Sequence, residues 1–214
     1  MPLARKTELK IKRCIDVVGA ATGLVVLSPV LAGVALAIRV TLGAPVLFRQ
    51  QRPGLGGRPF QMIKFRTMAQ AKPGETWYRT DEQRLTRLGR FLRRTSLDEL
   101  PELFLVLKGD MSLVGPRPLL MEYLAKYTPE EMRRHEMVPG ITGYAQVNGR
   151  QNTPFSQRLR DDVWYVDHFS LKLDGEILFK TIGLVFQREG VIPGQNVDDV
   201  DDLGLTADRA RVSA

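Results

Sequence analysis

The chain has 214 residues, of which 43% are hydrophobic and 26% are charged, a balance that excludes a disordered chain and a polytopic membrane protein. A single cysteine, Cys14, excludes an internal disulfide, and two histidines leave too few soft ligands for a zinc site. The 31 Lys and Arg against 24 Asp and Glu give a net charge of +7. This excess predicts an anionic partner: nucleic acid, an acidic membrane surface or a phosphorylated substrate.

An uncharged run from Val17 to Ile38 lies between basic flanks and reaches the ~20 residues that a membrane helix needs. Basic residues on both sides disfavour a simple span. Ser28-Pro29 predicts a kink, because proline cannot donate to the Val25 carbonyl, and the Ser28 hydroxyl can satisfy part of the freed backbone. Three alternatives stay open on these features: a kinked transmembrane helix, a re-entrant helix-break-helix, or a buried hairpin in a soluble core.

The rest of the chain predicts an α+β, mainly helical fold. Two short strands, 45–48 and 60–65, flank a cluster of Gly and Pro that we interpret as a hairpin loop. Thr128-Pro-Glu-Glu131 is typical of a helix start, and residues 138–144 are rich in turn formers. Apolar periodicity predicts helices over 81–94, 155–168 and 176–187.

The helix predicted over 81–94 carries a stripe of arginines at 84, 87, 90 and 94. Such a stripe is either a solvated face or an amphipathic surface that suits anionic headgroups beside a membrane anchor. Arg93 lies off the stripe and is free to point at a site. The helix over 176–187 either lies in the membrane interface or packs on the core, and we favour the core.

Adjacent acids, Asp98 and Glu99, lie where we expect a helix to begin, with Ser96 available as its cap. Helix N-termini favour ionised carboxylates. An ionised carboxylate among cations can act as a nucleophile or a metal ligand. The alternative is a capping motif with acids in the first turn.

Several cations accompany these acids. Arg117 is held between Pro116 and Pro118, which suits bidentate phosphate binding, and Lys64 and Arg66 lie two residues apart on one strand face. This inventory favours phosphoryl chemistry with a hard divalent ion over acyl transfer or redox chemistry. Nucleic-acid binding would explain the charge but not the apolar segment, and we find no base-reading motif.

The order of the motifs resembles the bacterial sugar transferase family, the monotopic polyprenyl-phosphate phosphoglycosyl transferases. The resemblance runs from about Lys10 to about Pro193. It covers the apolar segment with its Ser-Pro pair and four further motifs, which are Lys64-Phe-Arg-Thr-Met68, Thr95-Ser-Leu-Asp-Glu-Leu-Pro101, Lys108-Gly-Asp-Met-Ser-Leu-Val-Gly-Pro-Arg-Pro118 and Pro139-Gly-Ile-Thr-Gly-Tyr-Ala-Gln-Val-Asn-Gly149.

The resemblance implies transfer of a sugar-1-phosphate from a UDP-sugar to polyprenyl phosphate, with release of UMP. Asp98 matches the family's nucleophile, which forms a covalent phosphosugar-aspartyl intermediate, and Glu99 completes the dyad. Mg²⁺ is implied near Asp98. Lys64, Arg93 and Arg117 match positions that line the site and hold phosphate. The product would start the assembly of a surface glycan at the membrane.

The resemblance also favours the re-entrant topology, broken at Ser28-Pro29, with the catalytic part on the cytoplasmic face of the bacterial inner membrane. Three segments follow from it. Residues 1–41 form the basic flank and the membrane helix, 42–195 the catalytic domain, and 196–214 an acidic, mobile tail. The chain resembles the family's minimal catalytic type.

The expected partners are a UDP-sugar, polyprenyl (undecaprenyl) phosphate and membrane lipid, without nucleic acid, and a homodimer stays open. The residues do not identify the sugar. Asp161, Asp162 and Tyr165 either face the site or lie on a helix surface. The alternative function is a catalytically idle membrane scaffold that recruits later glycosyltransferases, although such a scaffold would not need the dyad and its cations together.

Overall fold

The computed structural model describes residues 3–70, 84–149, 153–187 and 201–204. Within these ranges the fold is mainly helical with two small sheets, which confirms the predicted class. The helices are α1 (Leu3–Val26), α2 (Ser28–Thr41), α3 (Arg87–Arg94), α4 (Glu102–Lys108), α5 (Pro129–Met132), α6 (Tyr144–Asn148), α7 (Phe155–His168) and α8 (Leu171–Gln187). The strands are β1 (Leu47–Pro53), β2 (Pro59–Phe65), β3 (Ser112–Val114) and β4 (Gly140–Thr142).

Helices α1 and α2 meet at a bend of 62°, at the position that the Ser-Pro pair predicted. Pro29 lies in the first turn of α2. The Ser28 hydroxyl donates to the Val25 carbonyl at 2.8 Å and so supplies the hydrogen-bond donor that the proline nitrogen lacks. No single described helix has the length and apolar character of a membrane span, whereas α1 and α2 together meet that criterion as a bent pair.

The first half of α1 docks on the rest of the protein through buried charges. Lys12 donates to Asp174 Oδ2 at 2.6 Å and to a β3 carbonyl at 2.9 Å. Asp16 accepts from the Ser112 hydroxyl at 2.8 Å and from the backbone N–H of Leu113 at 2.9 Å. The basic flank seen in the sequence is therefore partly a structural contact between the N-terminal helix and the catalytic part.

The predicted hairpin is confirmed. β1 and β2 pair antiparallel from Leu47 opposite Phe65 to Pro53 opposite Pro59, so β1 begins later and extends farther than the sequence predicted. Residues 138–144, which we expected to form turns only, contain strand β4, which pairs in parallel with β3. Three-residue strands are too short to show a period in the sequence.

Helix boundaries agree with the predictions in part. α7 has the predicted bounds, and Thr128 caps α5 through a full capping box. α8 begins at Leu171, before the predicted start. α3 begins at Arg87 and not at 81, because the Thr86 hydroxyl accepts from the third residue of α3 and Leu85 pairs as an isolated bridge. Residues 81–83 lie outside the described part of the chain.

Helix α3 shares a buried apolar cluster with α2 and β2. Leu92 of α3 joins Phe65 of β2 in a buried cluster with Val34 and Ile38 of α2. Apolar side chains remain exposed along the bent pair, among them Val25, Val26, Leu36 and Val40. The segment that leads into the acidic pair is therefore attached to the apolar helices and not to a distant face.

Candidate active site

Asp98 and Glu99 lie on a single 3-10 turn, Leu97–Glu99, and not at the start of an α-helix. Helix α4 begins only at Glu102. Ser96, expected as a cap, makes no capping hydrogen bond and adopts a left-handed conformation, with φ 54° and ψ 17°. A residue other than glycine in that region costs on the order of 1 kcal/mol, so the surrounding contacts hold the turn in an unfavourable backbone geometry.

Glu99 is the centre of the charge cluster. Its Oε1 accepts from Lys64 Nζ and from Arg117 Nη2, each at 2.6 Å. Burial raises the pKa of Glu99, but the charges of Arg117 and Lys64 outweigh it and lower the pKa to about 2. The structure thus brings together three of the predicted site residues, with Glu99 ionised at every physiological pH.

Asp98 differs from its neighbour. It is 9% exposed, and burial, followed by the charge of Glu99, raises its pKa, while Lys64 and Arg93 oppose the rise. The expectation that a helix N-terminus would favour its ionised form is wrong, because only one turn of 3-10 helix begins there. A carboxylate that its surroundings stabilise less is a better nucleophile once ionised.

Arg93 is oriented by the residue that follows the hairpin. Its Nε donates to the Thr67 hydroxyl at 3.2 Å. Gly89 allows this arrangement, because a Cβ there would lie 1.8 Å from the Thr67 carbonyl oxygen. The charge of Arg93 opposes the rise in the pKa of Asp98, so its guanidinium lies near that carboxyl group.

Pro116 and Pro118 hold Arg117 in a crevice lined also by His135 and Pro139. The side chain of Arg117 is 43% exposed while its Nη2 donates to Glu99 Oε1. Its backbone carbonyl accepts from Arg134 Nη2 at 2.6 Å. The Gly-Pro-Arg-Pro segment is therefore fixed both by its prolines and by a buried arginine.

No motif in the sequence indicated Arg134, which is fully buried. It forms an ion pair with Asp162 at 2.5 Å. Asp162 and Tyr165 therefore face the interior and not solvent, but neither contacts the dyad: the Tyr165 hydroxyl donates to Asp174 at 2.7 Å. Asp161 accepts from Gln157 on its own helix.

The hydrogen bonds of Arg66 lead away from the charge cluster around Glu99. Its guanidinium donates to the carbonyls of Leu42, Gly43 and Ala44, at the C-terminus of α2. These bonds close the end of the helix. A role for Arg66 in substrate binding stays a prediction.

Glu102 is the residue near the dyad that the sequence reasoning missed. It is 3% exposed, and its Oε1 lies 3.3 Å from Lys64 Nζ. Burial raises its pKa to about 7, with Lys64 opposing and Glu99 adding to the rise. Its spacing of three residues from Glu99 was the available signal, since such residues share a face of a helix.

Mg²⁺ was the predicted cofactor. Among the described residues no group of three potential ligands gathers in one place. Mg²⁺ commonly binds through one or two carboxylates together with substrate phosphates. Asp98 fits this mode, since no described side chain donates a hydrogen bond to it, whereas Lys64 and Arg117 occupy Glu99.

Comparison with known proteins identifies the family of this chain. A model of the family described as bacterial sugar transferase matches residues 7–188. The uncharacterized sugar transferase EpsL of Bacillus subtilis is 48% identical over 85% of this chain and 90% of its own length. The UDP-glucose:undecaprenyl-phosphate glucose-1-phosphate transferase of Caulobacter vibrioides is 43% identical, over 85% of this chain and 72% of its own.

A longer relative is the UDP-galactose-lipid carrier transferase of Erwinia amylovora, 38% identical over 88% of this chain but only 43% of its own length. The chain thus spans less than half of some of the curated relatives it matches. It belongs to the bacterial sugar transferase family. The enzyme class predicted from the motifs, a phosphoglycosyl transferase, is confirmed.

Proposed function

We propose that this protein transfers a sugar-1-phosphate from a UDP-sugar to undecaprenyl phosphate and releases UMP. Relatives from several bacteria carry names that state this reaction with glucose, galactose or N-acetylgalactosamine. The observation that carries the proposal is the cluster itself: a buried Asp98 beside Glu99, which Lys64 and Arg117 each contact at 2.6 Å. A diphosphate entering this cluster meets two fixed cations and one reactive carboxylate.

The proposed chemistry has two displacements. Asp98 attacks the β-phosphorus of the donor, an aspartyl-phosphate bond forms, and the bond to the bridging oxygen breaks so that UMP leaves with the electron pair. An oxygen of the lipid phosphate then attacks the same phosphorus and releases Asp98. Lys64, Arg93 and Arg117 orient the phosphates and balance their charge.

Mg²⁺ belongs to the proposal as a cofactor that Asp98 and the donor phosphates would hold together. When bound, it would neutralise part of the diphosphate charge. The chain's own contribution is to keep Glu99 ionised and Lys64 and Arg117 in place around the reacting group.

We also propose that the bent pair of α1 and α2 is a re-entrant membrane segment, entered from the cytoplasmic face. Three features support this: the bend at the Ser-Pro pair, the exposed apolar side chains along both helices, and the buried cluster that Leu92 of α3 shares with α2. An active site attached to the membrane helix can receive a soluble nucleotide sugar and a lipid acceptor in turn. The acidic tail, most of which lies outside the described residues, has no part in this proposal.

The test is to incubate the purified protein, in detergent or lipid particles, with Mg²⁺ and a panel of UDP-sugars but no lipid acceptor, and to record the intact mass. We expect a gain of one phosphosugar, which undecaprenyl phosphate discharges and Asp98→Asn abolishes. The matched control is Asp110→Asn, because Asp110 pairs with the exposed Lys108. The donor that gives the adduct identifies the sugar.

Other results would contradict parts of the proposal. UMP release only when lipid is present, without an adduct, would indicate direct transfer and leave Asp98 as a metal ligand. Neither an adduct nor UMP release with any donor would support the scaffold instead.

A further inference from the structure

Glu102 shares a lysine with the catalytic dyad. It is the first residue of α4 and is 3% exposed. Lys64 Nζ lies 2.6 Å from Glu99 Oε1 and 3.3 Å from Glu102 Oε1. One ammonium group therefore lies between two carboxylates, one from the dyad and one outside it.

The two contacts of Lys64 are not equivalent. The contact with Glu99 is a hydrogen bond, whereas Glu102 Oε1 is buried and has no aligned hydrogen-bond donor in the described structure. A buried carboxylate oxygen without a donor is costly and calls for an explanation. The Lys64 ammonium group has three N–H donors, and a small shift toward Glu102 would let one of them reach Oε1.

The charges that face Glu102 come from three elements: Lys64 on β2, Glu99 on the 3-10 turn and Arg117 after β3. Glu99 stays ionised and Arg117 stays charged, so these groups keep their charges near neutral pH. Burial raises the pKa of Glu102 to about 7. The carboxyl group of Glu102 therefore changes charge in this range, whereas Glu99 and Arg117 do not.

We infer that Glu102 is a positioning residue that controls Lys64: its ionised form holds the ammonium group away from the donor phosphates, and its protonated form releases it to them. This inference rests on the proposed function, in which Lys64 binds donor phosphate. Glu102 acts only through Lys64 and takes no part in bond making. The inference adds to the proposed site a residue that sets the affinity for the UDP-sugar donor.

The direction of the effect follows from linkage. A bound donor diphosphate draws the Lys64 ammonium group away from Glu102 and brings negative charge close to the Glu102 carboxyl group. Both changes favour the protonated form of Glu102. Donor binding is therefore tighter at low pH and weakens as the pH rises through about 7. Each unit by which the bound donor raises the pKa of Glu102 corresponds to a difference of about tenfold in affinity between the two limits.

The experiment measures the rate of adduct formation against UDP-sugar concentration between pH 6 and 8.5, with saturating Mg²⁺ and no lipid. For the wild type we expect the half-saturating donor concentration to rise by about tenfold across this range. Glu102→Gln mimics the protonated form, so its value should stay low and nearly constant. The maximal rate of this variant should change less than its half-saturating donor concentration, because Asp98 is intact.

Two further variants make the result specific. Glu102→Asp keeps a titratable carboxyl group and should retain a pH-dependent half-saturation. Glu176→Gln makes the same chemical change in an exposed pair with Lys172 and should match the wild type. Thermal unfolding of each variant at both pH limits shows that the compared proteins are folded.

The outcomes separate this inference from the proposed function. A wild-type adduct with the same pH dependence in Glu102→Gln would overturn the role of Glu102 and leave the transferase intact. Loss of maximal rate with unchanged half-saturation in Glu102→Gln would also overturn it. If the wild type forms no adduct with any donor, the proposed function fails and the inference fails with it.

Discussion

Two lysines in this protein, Lys12, which is buried, and Lys64, which is partly buried, lie among carboxylates but have different roles. Lys12 of α1 donates to Asp174 and to a β3 carbonyl, and the second oxygen of Asp174 accepts from the Tyr165 hydroxyl. Lys64 of β2 contacts Glu99 and Glu102 together, and Glu102 Oε1 lacks an aligned donor. In the Lys12 network each oxygen of Asp174 accepts a hydrogen bond within the protein, whereas in the Lys64 network one oxygen of Glu102 accepts none.

The difference shows how to distinguish a structural charge cluster from a functional one. A buried ion pair with every oxygen partnered joins elements that would otherwise separate, here α1 and α8. A cluster with competing carboxylates and an exposed Arg117 retains capacity for a ligand that completes it. The following predictions test whether this contrast holds.

The largest expected effect is on catalysis at the incomplete cluster. Asp98→Asn should lower UMP release by about 10⁴-fold or more, because the amide cannot form the phosphosugar bond. Its melting temperature should stay near that of the wild type, since no described side chain donates a hydrogen bond to Asp98. Activity and thermal unfolding are measured on the same preparation. Equal losses of activity in Asp98→Asn and Asp110→Asn would remove the contrast.

The next effect is on stability at the complete cluster. Lys12→Met should lower the free energy of unfolding by about 3–5 kcal/mol, because it leaves Asp174 buried without its cation. Denaturant titration in mild detergent measures this. Adding Asp174→Asn to Lys12→Met should recover part of the loss. A variant as stable as the wild type would mean that α1 docks through its apolar contacts alone.

A third prediction concerns the pH dependence of stability. The Glu102 pKa is raised to about 7 in the folded protein, so the folded state binds this proton more strongly than the unfolded state does. The Glu102 contribution is therefore fully present at low pH and is lost as pH rises through about 7. Glu102→Gln should match the wild type at about pH 4, below the ordinary glutamate pKa, and exceed it by about 1–3 kcal/mol near pH 8. Thermal unfolding at both pH values measures the difference, and a wild-type advantage at pH 8 would contradict it.

The smallest effect is at the bend between α1 and α2. Ser28→Ala removes the hydroxyl that donates to the Val25 carbonyl and should cost about 0.5–1.5 kcal/mol. The bend itself should remain, because Pro29 still cannot donate to that carbonyl. Denaturant titration gives the cost, and spin labels on the two helices report the angle. A straightened pair in Ser28→Ala would show that the hydroxyl, and not the proline, sets the bend.

Local patterns predicted much of this molecule. Pro29 predicted the bend, the Gly and Pro cluster predicted the hairpin, and the cap at Thr128 predicted α5. The motif order placed Glu99 with Lys64 and Arg117, which the structure brings into contact. In each case the feature depends on backbone chemistry or on residues within one motif, which the sequence shows directly.

What the sequence did not show depends on distant contacts. Lys12 and Asp174 are 162 residues apart, and no spacing rule joins them. Strands β3 and β4 have three residues each and pair in parallel across a long connection. Burial of Glu102 raises its pKa, and that burial is a result of packing around the first turn of α4 and not of the local pattern.

The docking of α1 has a consequence for how this enzyme can be divided. Arg13 donates to the carbonyls of Val106 and Leu107 at the end of α4, next to the contacts of Lys12 and Asp16. A fragment that begins at residue 42 would lose the bonds that Arg13 makes to α4, that Lys12 makes to Asp174 and that Asp16 makes to Ser112. The family match also begins inside α1, at residue 7. Most of α1 thus lies within the region that the family shares, and we expect a fragment without it to be less stable than the whole chain.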